Sequence, residues 1–458
     1  MNKLALFIFH RDCRLEDHPG LEEAVKTGLN ILPVFIFDPA QLAHHPYQSL
    51  RGLHFLLDSL EDLSKKIALH QGELFILKGK TSEVVKELLN KLPIAWLGSS
   101  EDVTPFARER DADISSLCKH KGIPFSQSPA LFLHHPQMVH KDDGKPYTVF
   151  TPFFRKALTI SARPRVKAVF GPWALDCRPL VEHLSVELST LRPNSPSAPF
   201  KGGRTTALQL LKQLPSPEQY TQQRDFPAQT CGSLLSAHLK FGTVSPWEVA
   251  RVLEKKFSEH PIVRQLFWRD FFYHIAVHFP RIFTENFQKQ TQHIPWSNSL
   301  SHFEAWCQGR TGFPIVDAAM RELVATGTMH NRCRMITASF LVKDLHLDWR
   351  WGERFFAQQL VDYDPAVNNG NWQWAASTGC DAQPYFRIFN PWLQQKKFDA
   401  QGEYIRHWVE ELRGQDAKIL HGLFNGYKVK AYPSPIVNHQ VNSQMAKSLF
   451  ATGQSSSS

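Results

Sequence analysis

Within the first hundred residues, short unbroken apolar runs alternate with amphipathic stretches, an order that points to a parallel α/β fold. Residues 4–9 (LALFIF) and 31–37 (ILPVFIF) are too short and too continuously apolar for surface helices. They read as strands buried on both faces. Between them, 20–27 (GLEEAVKT) reads as helix. In 53–67, Leu53, Leu56, Leu57, Leu60, Leu63 and Ile67 fall on one helical face. LFILKG at 74–79 then reads as strand, EVVKELLNKL at 83–92 as helix and IAWLGS at 94–99 as strand. Such alternation predicts a parallel-sheet α/β domain over residues 1–130. Pro33 argues against an interior position for its strand, because it lacks a ladder donor. No GxGxxG follows the first strand, so dinucleotide binding in the usual doubly wound manner has no support.

Residues 131–204 are rich in Pro, Ser, His and Lys and read as a connection with short pieces of structure. From 205 to 450 the pattern is helical. Ser245-Pro246-Trp247-Glu248 is a helix start, in which Ser caps, Pro fills the first turn and Glu closes the box. Further helices are predicted at 262–279, 314–326 and 332–347, and 451–458 reads as a flexible tail. The 52 Lys and Arg outnumber 43 Asp and Glu, an excess that suits a polyanionic partner without choosing one. Seven dispersed cysteines form no CxxC or Cys/His cluster and read as reduced and structural. The N-terminal apolar run is too short for a signal peptide and no run spans a bilayer, so a soluble cytoplasmic protein is expected.

Tryptophan is unevenly spread. Trp96 stands alone in the first 170 residues, and the other eleven run from Trp173 to Trp408. The densest region is 362–392, DYDPAVNNGNWQWAASTGCDAQPYFRIFNPW. Its carboxylates and tryptophans read either as loop residues and core anchors, or as the lining of a cavity for a polar, planar cofactor.

That segment, together with HRDCRLEDH at 10–18, LKFGTVSPWE at 239–248, WRDFFYHI at 268–275, GRTGFPIVDAAMREL at 309–323 and the 329–356 stretch, resembles the photolyase/cryptochrome family. The resemblance runs along essentially the whole chain and is nearest to bacterial class I cyclobutane-dimer photolyases. It implies an antenna-type α/β domain joined by a long linker to an all-α FAD-binding domain. The cofactor-binding positions it implies are Tyr220, the segment Gly232, Ser233, Leu234, Leu235 and Ser236, then Trp268, Asn331, Arg334, Asp362, Tyr363, Asp364 and Asn368. A helix beginning near Ser236 would offer backbone donors to phosphates. The family's usual GTSRLS is CGSLLS here, which removes a hydroxyl at Gly232 and an arginine at Leu234. Asn368 would face the flavin N5 as a neutral amide. Trp372, Trp349 and Trp296 coincide with the family's electron-hopping series, whose role is photoreduction of FAD rather than bond cleavage.

The resemblance also implies a pocket for a flipped pyrimidine dimer in damaged DNA. Trp268 and Trp374 match its walls and Met335 a contact near the cyclobutane ring. Asn331, Arg332, Arg224 and Arg269 match edge and phosphate contacts. Gln265 stands where cyclobutane-dimer photolyases usually carry Glu, and is expected to donate to a dimer carbonyl. Asn331 and Met335 replace two histidines of the (6-4) photolyases, which disfavours that substrate. TPFARERD, with Phe106-Ala107 in place of Asn-Glu, looks more like the deazaflavin-binding group than the folate group. The function implied is light-driven repair of cyclobutane pyrimidine dimers by a monomer. The alternatives are a cryptochrome-like photoreceptor using the same flavin, and noncatalytic binding of single-stranded nucleic acid.

Overall fold

The computed structural model describes residues 2–229, 232–256, 260–381 and 387–455. Cys231, residues 382–386 of the aromatic segment and the last three residues lie outside them. Two compact units form: Met1–Tyr147, Thr151–Leu214 and Ser233–Val277 make the first, while Thr148–Phe150, Pro215–Gly232 and His278–Ser458 make the second.

The first unit is built on a five-stranded parallel sheet of β1 (Leu4–Phe9), β2 (Asn30–Phe37), β3 (Phe75–Lys78), β4 (Ile94–Ser100) and β5 (Phe125–Ser128). Their order is β3-β2-β1-β4-β5. Successive side chains of β1 take opposite faces, which is why the run is apolar throughout. Leu4, Leu6 and Ile8 join one core with Val84, Leu88 and Ile114. Ala5, Phe7 and Phe9 join the other with Leu57, Leu60 and Leu63 of the helix Leu50–Ala68. Pro33 pairs in register with Phe7, whereas the ladder to β3 begins at Val34. The strand is therefore interior only beyond the proline, which reconciles its position with the missing donor.

Two features depart from the expected organisation. The helices Pro246–Lys256 and Pro261–His278, assigned by sequence to the helical half, belong to the first unit up to Val277. Trp247 Nε1 donates to the Leu133 carbonyl at 2.6 Å, and Asp270 accepts from the Leu133 and His134 amides at 2.8 and 3.1 Å. The segment after residue 130 is thus bound to these helices, and packing does not change at residue 204. Second, the helix His439–Ser455 runs into the segment expected as tail. The capping box at Ser245 forms as predicted: Ser245 and Glu248 exchange side-chain-to-amide bonds of 2.9 Å in both directions.

The second unit is helical in its described residues. Helices Leu300–Cys307, Pro314–Thr326, Asn331–Lys343, Trp349–Gln359 and Pro365–Ala376 enclose a core containing Trp306, Phe340, Trp349, Phe356 and Trp372. No described helix is long and apolar enough to cross a membrane.

Candidate functional site

In the second unit, Asp364 begins the helix Pro365–Ala376 as its N-cap, accepting from the Ala366 and Val367 amides at 3.2 and 3.3 Å. Pro365 occupies the first turn at no cost in hydrogen bonds. The cap fixes the phase of the helix, so Asn368 and Trp372 follow Asp364 at successive turns. Asn368 is half-buried, and its Nδ2 donates to the Glu353 carbonyl at 3.2 Å, leaving Oδ1 as an acceptor. Arg334 clasps Asp362 with one nitrogen at 3.2 and 2.9 Å from the two carboxylate oxygens. Tyr363, between the two aspartates, is half-buried and packs against the core.

The three expected tryptophans differ in exposure. Trp372 and Trp349 are buried, at 2% and 1%, whereas Trp296 is half-buried. Trp372 meets Phe356 edge-on at 4.9 Å and Trp306 at 6.2 Å. Trp349 Nε1 donates to Asn286 Oδ1 at 2.9 Å, and the Arg350 guanidinium lies 4.8 Å from its ring centroid.

Asn331 is exposed at the start of its helix, and its Nδ2 reaches Met335 Sδ one turn on, at 3.8 Å. Arg332 is drawn to Asp225 at 2.8 Å and lies over Phe398. Arg224 stacks on Tyr220 across one turn of the helix Pro217–Gln223 and its C-cap, 5.1 Å from the ring centroid. Trp374 is half-buried with Arg387 over its face at 5.6 Å. His330, the N-cap of helix Asn331–Lys343, is pushed down to about 4 by burial, reinforced by Arg332 and Arg334. It is a neutral acceptor for the Arg332 amide at 3.1 Å.

The remaining expected residues lie in the first unit. Gln265 and Trp268 are half-buried and one turn apart on helix Pro261–His278, hence on one face. Trp268 packs against Phe271 and Phe272. Arg269 is turned inward: it donates to the Leu131 and Leu239 carbonyls at 2.6 and 3.4 Å and covers Tyr273. Its side chain is 11% exposed, so it braces the helix rather than reaching out to a phosphate. Gly232, Leu234 and Ser236 are exposed, Ser233 is half-buried and Leu235 is buried. Leu234 adopts φ 53°, a left-handed conformation costly for a leucine, and Leu235 follows at φ −88°, ψ −5°. Left-handed and right-handed residues in succession are the pattern from which anion cradles are built, and the Leu235 N–H is held by Ser233 Oγ at 3.3 Å. A segment of that pattern suits the phosphates of FAD. The Arg334–Asp362 pair and the Asn368 amide suit the hydrogen-bonding edge of its ring.

A second polar cluster sits at the carboxyl ends of β1 and β4, where the strand order reverses and open α/β sheets bind ligands. Arg11 holds Asp102 through two bonds of 2.7 and 2.8 Å. Arg110 pairs with Asp111, but its second terminal nitrogen has no hydrogen-bond partner. His10 Nε2 is likewise buried without a partner, and burial, reinforced by Arg110, pushes the imidazole down to about 3. The sequence singled out the runs HRDCRLEDH and TPFARERD by resemblance, but not that His10, Arg11, Asp102 and Arg110 meet in one cluster, and it gave no sign of Trp306, Asn286, Glu353 and Arg387.

Residues 5–169 match the family model described as DNA photolyase, and residues 262–452 match the FAD binding domain of DNA photolyase. A deoxyribodipyrimidine photo-lyase from Synechococcus is 36% identical, over 97% of this chain and 96% of its own length. The archaeal photolyase from Sulfolobus tokodaii, solved with two FAD molecules, superposes with a TM-score of 0.89 at 39% identity. That match covers 98% of this chain and all of the other. A cryptochrome from Synechocystis shares the fold at the same TM-score with 28% identity, over 98% of this chain and 99% of its own.

Proposed function

This chain belongs to the DNA photolyase family, and from that premise we propose that it is a deoxyribodipyrimidine photo-lyase repairing cyclobutane pyrimidine dimers in DNA. The observation that carries the reading is the full-length relation to a protein of that activity. The cryptochrome reading shares the fold but gives no role to the dimer-facing residues.

FAD, held in its reduced form by the cofactor-binding residues, would supply light-driven one-electron reduction of the dimer. Everything else falls to the side chains. Tyr220 and the Gly232–Ser236 segment hold the phosphates, while Arg334, Asp362 and Asp364 orient the ring. Asn368 offers Oδ1 as an acceptor and has no proton to release as an acid would. Trp268 and Trp374 supply flat apolar walls for a flipped base pair, which stacks poorly once damaged. Gln265 donates to a dimer carbonyl, Asn331 and Met335 line the pocket edge, and Arg224 and Arg332 address the backbone. Trp296, Trp349 and Trp372 would carry electrons inward when oxidised flavin has to be recharged, and Trp296, half-buried where the other two are buried, supports that direction.

A second chromophore is assigned to the first unit, at the His10, Arg11, Asp102 and Arg110 cluster. The unpartnered nitrogens of His10 and Arg110 support a polar ligand there. Its TPFARERD run favours a deazaflavin over a folate.

The test is illumination of the reduced holoenzyme with an oligonucleotide carrying one thymine dimer, scored for restored thymines. No restoration above the dark control, with flavin bound and reduced, sinks the repair reading.

A further inference from the structure

The half-buried Trp296 is not simply open to water. Phe450, from the C-terminal helix His439–Ser455, meets its indole edge-on, with centroids 5.7 Å apart and planes at 81°. Phe450 is 5% exposed, so this contact is part of the packed interior. The Nζ of Lys343 lies 3.7 Å from the phenyl centroid. Lys343 is fully buried and donates to the Ala376 carbonyl at 2.9 Å and to Ser377 Oγ at 3.1 Å. It therefore ties Phe450 to the end of the helix that carries Asn368 and Trp372.

The helix bearing Phe450 is fastened elsewhere as well. His439 Nδ1 sits 2.5 Å from the buried carboxylate of Asp344, and Asn442 Nδ2 donates to the Asp344 carbonyl at 2.6 Å. His346 Nε2 reaches the Asn442 carbonyl at 2.9 Å. Trp296 is stitched to the same corner, because the Ser297 amide donates to the His346 carbonyl at 2.7 Å. One short stretch, Lys343 to His346, thus positions both the tryptophan and its cover.

We propose that Phe450 is a positioning residue for photoreduction: it covers Trp296 and thereby sets how fast an external thiolate can return the electron that Trp296 gives up. This rests on the reading of Trp296 as the outer member of the electron series. When one electron has moved inward, Trp296 is left as a radical cation. A thiolate gives it one electron, restoring neutral tryptophan and leaving a thiyl radical, with no proton exchanged. Electron transfer of this kind needs close approach, and a phenyl ring packed on the indole denies one approach. The phenyl cannot itself relay the electron, since benzene rings are far harder to oxidise than indole.

The experiment compares Phe450→Ala and the milder Phe450→Leu with the parent holoenzyme and with Trp296→Phe. In the dark, hydroxyl-radical footprinting read by mass spectrometry should label Trp296 severalfold faster in Phe450→Ala, with Phe450→Leu between. Under steady light, flavin reduction at rising dithiothreitol concentration should steepen in the same order. Repair by chemically pre-reduced enzyme should not change, because that electron never visits Trp296. Where Phe450→Ala also raises labelling of His439, the helix has come away, and Phe450→Leu carries the test. Unchanged Trp296 labelling overturns the proposal. So does a thiol dependence indifferent to Phe450 while Trp296→Phe abolishes photoreduction. A Trp296→Phe enzyme that photoreduces like the parent overturns the electron-route reading itself, and the proposal with it.

Discussion

Gly352 faces Trp372 so closely that a Cβ added to it would stand 2.2 Å from the indole Cη2 and 2.6 Å from Cζ3. A methyl group there would ordinarily favour the helix Trp349–Gln359. Here it collides with a buried ring that has Phe356 and Trp306 against it. Gly352→Ala is predicted to cost about 1–3 kcal/mol through overpacking. It should also slow photoreduction by displacing Trp372, with flavin absorbance retained. Denaturant titration and steady illumination of the variant check both parts, and parent-like values in both would refute the contact's importance.

Trp349→Phe is predicted to block photoreduction of oxidised FAD while leaving repair by pre-reduced enzyme largely intact. Asn286 Oδ1 keeps the Arg350 guanidinium as a donor at 3.1 Å, so the stability cost comes from the cavity that the smaller ring leaves in the core. Flavin reduction under light and repair after dithionite treatment separate the two processes. Equal loss of both, with the fold unchanged, would make Trp349 structural.

Gln265→Ala is predicted to keep flavin but weaken dimer binding roughly threefold to tenfold, the worth of one neutral hydrogen bond of about 0.5–1.5 kcal/mol. Gln265→Glu should match or exceed the parent repair yield, provided that the desolvated acid stays protonated. Binding curves on damaged and undamaged oligonucleotides, with single-flash repair yields, test this. An alanine variant indistinguishable from the parent in all of them places Gln265 away from the lesion.

Burial is the main reason that the Asp270 carboxyl is pushed up to about 7, against the opposing pull of Arg269 and of the His134 and Leu133 amides. The unfolded chain releases this proton near the ordinary aspartate value of about 4. Between those values the folded protein keeps a proton that the unfolded chain has lost, so stability falls as pH rises through the window toward about 7. Asp270→Asn keeps an acceptor for the two amides and stays neutral. Its denaturation midpoint should vary less than the parent's between about pH 5 and pH 8. Parallel profiles would show that Asp270 does not set this dependence.

The sheet was readable because β1 to β4 are apolar on both faces, a pattern that helices of that length do not produce. β5 was not, because FSQS at the sheet edge needs only one partner and carries no apolar run. Helix Pro261–His278 was predicted as a helix, but its packing was not. It buries Phe267, Phe271, Tyr273 and Ile275 around much of its circumference, so no stripe indicates which unit claims it. In the site, Asp362, Asp364, Asn368, Trp372 and Trp374 stood out because they crowd into thirteen residues. Phe450, Asn286 and Trp306 could not, since their meaning lies in contacts made across long stretches of chain.

The first unit is closed by Ser233–Val277, which has a consequence for biosynthesis. Domains emerging from the ribosome fold N-terminal first. The sheet is fully synthesised by Ser128, yet the helices that bind Leu133 and His134 follow more than a hundred residues later. Throughout that interval the nascent chain presents apolar surface whose partners do not yet exist, the kind of surface that favours aggregation. A gene divided at residue 204 would make the interval permanent. Its first product would lack Trp247 and Asp270, and its second would carry them with nothing to hold.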